Sequence, residues 1–393
     1  MTALTATVVA VRDELIRDRR HLHAHPELGF EEHETAAYVA ERLRSLGIET
    51  RTGVGKTGVV GVIRGGGPGK TVMLRADMDA LPIQETGDKP YISTRPGVMH
   101  ACGHDGHTAI LMAVARVLAE RRDGLSGNVV LAFQPSEERP PGGALAMIAD
   151  GAMDDPKVDA VFGLHLTSQP VGTVLVRGGP SASAADSFRA TIQGVGGHAS
   201  RPQQAVDPVL IAAHVVTALH SIVSRNINPL DAAVITIGTI QAGTVSNVIP
   251  ATATMTGSVR SFDQAVRERL KQRIEETVVG IARAFGGDAT VDYSFGYPVL
   301  VNDQAMAEFV RSVAHEVVGE EQTRFNPPPI MASEDVGYFI SRATGCYFNL
   351  GILNEAKGIT VTNHNPGFDI DEDALPVGVA MLTRIVERYL GEQ

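Results

Sequence analysis

Three short apolar runs, each ending in polar side chains that a buried strand has no use for, constrain this chain more than any other feature. Thr71 to Arg75 runs into Ala76-Asp77-Met78-Asp79-Ala80-Leu81-Pro82. Asn128 to Phe133 runs into Gln134-Pro135-Ser136-Glu137-Glu138, and Val158 to Leu164 ends in His165. Near-continuous apolar strands belong to sheets covered on both faces, and open α/β sheets bind ligands at the carboxyl ends of their strands. The pattern therefore predicts an α/β fold that gathers polar groups along one sheet edge. A further Gly-rich strand, Val54 to Ile63, leads into Gly65-Gly66-Gly67-Pro68-Gly69. That loop lacks the phosphate-cradling pattern and reads as a hairpin.

Between the first two runs lies Met99 to Thr108, M-H-A-C-G-H-D-G-H-T, with one thiol, three imidazoles and a carboxylate. A helix pattern follows, with Ile110, Val114, Val117 and Leu118 forming one apolar stripe. Gly103 lets the backbone bend tightly between Cys102 and His104, so both side chains can reach one point. Thiolate with imidazole suits zinc and its first-row neighbours. Taken alone, a buried thiol beside helix-capping polar residues fits the same letters. Upstream, a helix over 5–19 leads to His21, His23 and His25 just before Pro26. No thiol or paired carboxylate lies in that cluster, so structural or pocket roles are expected there. A second helix, Glu32 to Leu46, stops before Gly47.

Around Gly178 to Asp186 the residues become small, as at a domain crossing. A strand (Ser187 to Gln193), a helix (Pro208 to Ser224), two strands (Ala232 to Ile240, Ala251 to Val259), a helix (Gln264 to Phe285) and a strand (Ala289 to Phe295) follow. That order is the split βαβ arrangement of a small inserted domain. After Pro298 the first texture resumes, with Ser333-Glu334-Asp335, the strand Cys346 to Leu350, Asn363-His364-Asn365-Pro366-Gly367 and a closing helix Asp373 to Leu390. The expected domains are thus 1–183 with 296–393, and 184–295.

The chain of 393 residues is long enough for two domains. Its net charge of −11 argues against nucleic acid as a partner. Two cysteines, Cys102 and Cys346, cannot build a disulfide framework. No basic region followed by an apolar core opens the sequence, and no run approaches the roughly 18 apolar residues of a membrane span. A cytoplasmic protein without a membrane partner is expected.

The candidate ligands are Cys102, His104, Glu138, His165 and His364, too many for one tetrahedral ion. A pair of ions roughly 3.5–4 Å apart would use them all and would draw the pKa of bound water down from about 15.7. Glu137 diverges from its neighbour Glu138 and suits the general acid/base role. Asp77 suits the orienting of a ligand imidazole. An exposed acidic turn is the plain alternative for Glu137-Glu138.

H-A-C-G-H-D-G-H, R-A-D-M-D-A-L-P, Q-P-S-E-E and G-G-H-A-S-R-P together resemble the M20 metallopeptidases over nearly the whole chain. The similarity is to the amidohydrolase branch of hippurate hydrolases, N-acyl-amino-acid amidohydrolases, N-acetyl-diaminopimelate deacetylases and auxin-conjugate hydrolases. The resemblance implies a zinc-peptidase-like catalytic domain with a mostly parallel central sheet and an inserted ferredoxin-like α+β lid. It implies Cys102, His104, Glu138, His165 and His364 as ligands of two divalent ions, Zn²⁺ or Mn²⁺ with Co²⁺ or Ni²⁺ possible, and Glu137 as catalytic base. It implies His198 as the lid histidine that steadies a developing oxyanion in a neighbouring subunit, and Asn247 and Arg260 as binders of the substrate carboxylate. A homodimer or homotetramer through the lid follows. Arg75 stands where related peptidases carry a ligand histidine, which leaves Asp77 less defined. The implied activity is cleavage of N-acyl-amino acids to a carboxylate and a free amino acid. A dipeptidase or carboxypeptidase, and a catalytically silent metal-binding or ligand-binding protein, are the alternatives.

Overall fold

A computed structural model describes residues 6–391. The helix expected over 5–19 is Ala6–Ala24, residue 5 lying outside the described residues. The described residues divide into two compact units, 6–179 with Val301–Pro328 and 335–391, and Pro180–Leu300 with Pro329–Glu334.

The apolar runs of the first unit form an eight-stranded mixed sheet. Its order is Glu49–Val54, Gly58–Arg64, Ser126–Gln134, Gly67–Asp77, Ala160–Pro170, Thr344–Leu353, Val174–Val176 and Thr323–Phe325. The strand Gly67–Asp77 pairs in parallel with both of its neighbours, and Ala160–Pro170 pairs in parallel with Thr344–Leu353. Asp77 and Gln134 are the last residues of adjacent parallel strands and lie in register. The two acidic tips are thereby set side by side at one sheet edge. His165 does not end its strand as the sequence suggested. The strand runs on to Pro170, leaving His165 opposite Asn349.

Two sequence expectations change in three dimensions. Gly65–Gly69 is not a hairpin, because Ser126–Gln134 inserts between the strands on either side of it. The glycines let the crossing chain press against the backbone of that inserted strand. A Cβ on Gly65 would lie 2.3 Å from Leu125 O, and one on Gly69 would lie 2.2 Å from Ser126 O. The helix His104–Glu120 has more than one apolar stripe, being buried at nearly every position up to Ala119. It is packed among the helices Ala6–Ala24 and Leu375–Gly391 and the sheet, and only Arg116 and the terminal Glu120 reach water.

In the second unit four antiparallel strands lie in the order Ala233–Ala242, Thr252–Ser261, Ala184–Gln193, Asp288–Tyr297. The first strand sits between the third and fourth, the ferredoxin-like order. Alternate residues of Ala184–Gln193 are buried, as period-two strands with one covered face require. Ile211, Val215, Leu219 and Ile222 of the helix Pro208–Asn226, with Leu270, Ile274 and Val278 of Gln264–Ala284, form the cover. Pro208–Asn226 is long and apolar enough to cross a membrane by length and composition, although His214, His220 and Arg225 interrupt its apolar run, and its buried stripe packs on this sheet. The segment Pro329–Glu334 joins this unit through backbone pairing, with Ile330 N donating to Ser181 O at 3.0 Å and Ser183 N to Ala332 O at 2.9 Å. Contacts so distant in sequence leave no local signal.

Candidate metal centre

Gly103, at φ 92°, makes the turn that separates Cys102 from the helix beginning at His104. Only glycine adopts this left-handed geometry without strain. His104 is wholly buried. Its Nδ1–H donates to Asp79 O at 2.9 Å, with Asp79 Oδ1 at 3.2 Å, so Nε2 is the atom turned into the site. His165 is fixed in the same sense: Nδ1–H donates to Leu166 O at 2.7 Å and Nε2 lies 3.5 Å from Cys102 Sγ. Burial lowers the pKa of His165 to about 3, keeping the ring neutral with a lone pair on Nε2.

His364 reaches the cluster from a loop residue at φ 63°, its backbone N–H held by Ala101 O at 2.7 Å. Its Nε2 lies 3.2 Å from Glu138 Oε1, at ion-pair distance but not aligned as a hydrogen bond. Two groups of donor atoms result, Cys102–His104–His165 and Cys102–Glu138–His364, each within 4.8 Å and sharing the thiol. The residues fit a cation. His104 Nε2 and Glu138 Oε1, 4.0 Å apart, are buried with no hydrogen-bond partner among the described residues, a costly state unless something binds both. Burial pushes the Cys102 thiol up to about 12, so a thiolate there needs positive charge beside it.

Glu137 is buried, and its carboxylate, His104 and Glu138 bring ligand atoms within 4.8 Å of one another. The pair is therefore not an exposed acidic turn, Glu138 being mostly buried as well.

Asp77 does not hold His104 through a hydrogen bond. Its Oδ1 accepts from His107 Nδ1 at 2.5 Å and its Oδ2 from Arg75 Nη1 at 2.6 Å, with His104 Nε2 at 3.6 Å. Burial alone would raise the Asp77 pKa, but Arg75, His104 and His107 hold it well below the usual range. The partner of His104 is Asp79, which sequence reasoning passed over. Asp79 Oδ2 also accepts from Glu138 N at 2.9 Å, so one residue braces the His104 ring and the Glu138 backbone. His107 was missed too. The alternation Asp77-Met78-Asp79 and the spacing of His104 and His107 were the available signals.

Arg75 is fully buried and bonds Gln134 Oε1 at 2.8 Å and Asp335 Oδ1 at 2.9 Å as well as Asp77. In place of a ligand imidazole it supplies a fixed positive charge between two aspartates.

The remaining candidates, His198, Asn247 and Arg260, belong to the second unit. His198 is exposed on a two-residue strand paired with Val248–Ile249, and its Nδ1 accepts from Ser200 N at 3.1 Å. Asn247 O accepts from Ala199 N at 3.1 Å, which brings Asn247 beside the His198 turn. Arg260 lies on the strand Thr252–Ser261, and its Nη1 is buried without a partner among the described residues.

Residues 73–388 match the model of peptidase family M20/M25/M40. The chain belongs to that family and is a hydrolase acting on amide bonds. It is 42% identical over 375 residues to thermostable carboxypeptidase 2 of Saccharolobus solfataricus, covering 94% of each chain. It is 42% identical over 380 residues to the N-acetyl-L-cysteine deacetylase of Bacillus subtilis, covering 96% of this chain and 88% of the other. Among solved structures, the YXEP protein of Bacillus subtilis, a dinuclear metal binding peptidase of the M20 family, superposes with a TM-score of 0.85 at 32% identity, covering 98% of this chain and all of the other.

Proposed function

We propose that this chain hydrolyses N-acyl-amino acids to a carboxylate and a free amino acid, with two divalent ions per subunit. Cys102, His104, Glu138, His165 and His364 would hold the ions, Zn²⁺ or Mn²⁺, Cys102 belonging to both groups of donors. The observation that carries this reading is the pair of donor groups meeting at Cys102 Sγ with the Glu137 carboxylate beside them. Bound ions would polarise the amide carbonyl and acidify water. Glu137 then accepts the proton of the attacking water and delivers it to the departing nitrogen, the acid/base role its buried position supports. Asp79 keeps His104 Nε2 turned inward, and His165 stays neutral and able to donate its lone pair.

Arg260 and Asn247 are the residues we assign to the substrate carboxylate; the guanidinium of Arg260 has a nitrogen left unpaired in a buried position, which wants an anion. We assign His198 to the steadying of the developing oxyanion. The exposed apolar side chains of the second unit, among them Val209, Leu210, Val234 and Ile240, support assembly of copies through that unit.

The test is a panel of N-acetyl-, N-benzoyl- and longer N-acyl-amino acids with matched dipeptides, assayed after reconstitution with Mn²⁺ or Zn²⁺. Release of free amino acid from the acyl series is expected. Turnover confined to peptides would instead assign a dipeptidase or carboxypeptidase.

A further inference from the structure

The turn that aims Glu137 and Glu138 is held by a residue more than a hundred positions away. Ser136 lies at φ 50°, the left-handed region, and is not glycine. Its own hydroxyl does not fix it there, since Oγ is buried with no partner among the described residues. The peptide is gripped from outside on both sides. Ser136 N donates to Glu32 Oε1 at 2.8 Å, and Ser136 O accepts from Gly143 N at 3.0 Å. Glu32 is completely buried, and its Oε2 accepts from Thr57 Oγ1 at 2.5 Å. Gly29 packs so close that a Cβ there would sit 2.6 Å from Ser136 Oγ.

We infer that Glu32 is a positioning residue for the reaction: it holds the Ser136 turn in its strained form so that the next two carboxylates face the metal cluster. A buried carboxylate is costly, and a left-handed non-glycine residue persists only where its surroundings over-determine it. Here the two features are each other's partner. Without the acceptor, residue 136 relaxes towards φ below zero and the Glu137 carboxylate swings from its place.

The inference rests on the proposed role of Glu137, so its test includes readouts that need no substrate. E32A is expected to lower kcat by on the order of tenfold to 100-fold, the scale of a misplacement near 1 Å. At saturating Mn²⁺, KM should stay within about threefold, since the residues assigned to the substrate carboxylate are not moved. E32Q keeps an oxygen within reach of Ser136 N and should restore most of kcat. In the S136G background, where the left-handed turn costs little, the E32A loss should shrink. Mn²⁺ affinity by calorimetry, reporting on Glu138, should fall in E32A and recover in E32Q. A crystal structure of E32A should show residue 136 outside the left-handed region. If E32A does not fold, E32D against E32Q decides, because the aspartate keeps the charge and loses the reach. Unchanged kcat and Mn²⁺ affinity in E32A, or E32D outperforming E32Q, would overturn the inference, as would an E32A loss undiminished by S136G. If the wild type turns over no N-acyl-amino acid, the proposed function fails, while Mn²⁺ affinity and the conformation at 136 still decide the role of Glu32.

Discussion

His107 Nδ1 stands 2.5 Å from Asp77 Oδ1, while its Nε2 accepts the backbone N–H of Leu166 at 2.8 Å. One imidazole thus ties the strand Gly67–Asp77 to the residue following His165, with its tautomer set by both partners. Replacing His107 with alanine leaves a buried carboxylate oxygen and a buried N–H short of a partner. The expected cost is about 1–3 kcal/mol per orphaned group, read as a drop in the denaturation midpoint. Equal midpoints for wild type and H107A would show that the bridge is slack.

Glu137→Ala should retain bound metal, measured by elemental analysis, while kcat falls by about 10²- to 10⁴-fold, the usual contribution of a general acid/base. Near-full turnover in the metal-loaded variant would remove Glu137 from the reaction.

Asp79 braces His104 from the side and Glu138 through its backbone N–H. Loss of an orienting partner of this kind weakens metal affinity by about 10- to 100-fold. D79A should therefore bind Mn²⁺ that much more weakly in a calorimetric titration. An unaltered affinity would mean the backbone oxygen of residue 79 holds His104 alone.

His23 predicts a pH dependence of stability. Its Nδ1 faces Asp105 at 2.7 Å and its Nε2 faces Glu85 at 2.9 Å. Burial and the neighbouring Arg19 oppose charge on the ring, yet the two carboxylates win and the pKa is raised. The folded state binds this proton more tightly than the unfolded chain, whose histidine titrates near 6.5. The stabilisation is complete below about 6.5 and is lost as pH rises through the raised folded value. The stability difference between wild type and H23F, from urea titrations, should narrow as pH is taken upward from 6. A difference that widens would reverse the sign.

Glu32 runs the same way for a different reason. Burial first, with some help from the Asp79 charge, raises its pKa to about 7 despite the hydrogen bonds from Thr57 and Ser136. Protonated glutamate is favoured by folding, so this residue's contribution falls as pH climbs from its unfolded value, near 4.3, through about 7. E32Q mimics the neutral form. It should match wild type near pH 4 and exceed it in denaturation midpoint at pH 8.

Much of the molecule could be read from local pattern. The helix after Cys102, the six elements of the second unit and the strands ending at Asp77 and Gln134 all follow from periodicity and short-range spacing. The residue types brought together at the cluster were legible for the same reason, since thiol, imidazole and carboxylate recur at successive strand and helix ends, and the recurrence outweighs the bland use of any one of them. The pairings within the site were not. Nothing in the letters distinguishes Asp77 from Asp79 as the partner of His104, because both follow the same strand.

The sequence by itself determined the class of fold and the chemistry of the donor groups, because side-chain period and ligand type are properties of short stretches. Tertiary structure alone decided that Asp79 braces His104, that Arg75 sits between Asp77 and Asp335, and that Glu32 grips Ser136. Those distances depend on which strands are neighbours in the sheet, and strand order is set by packing of the whole unit rather than by any window of the chain.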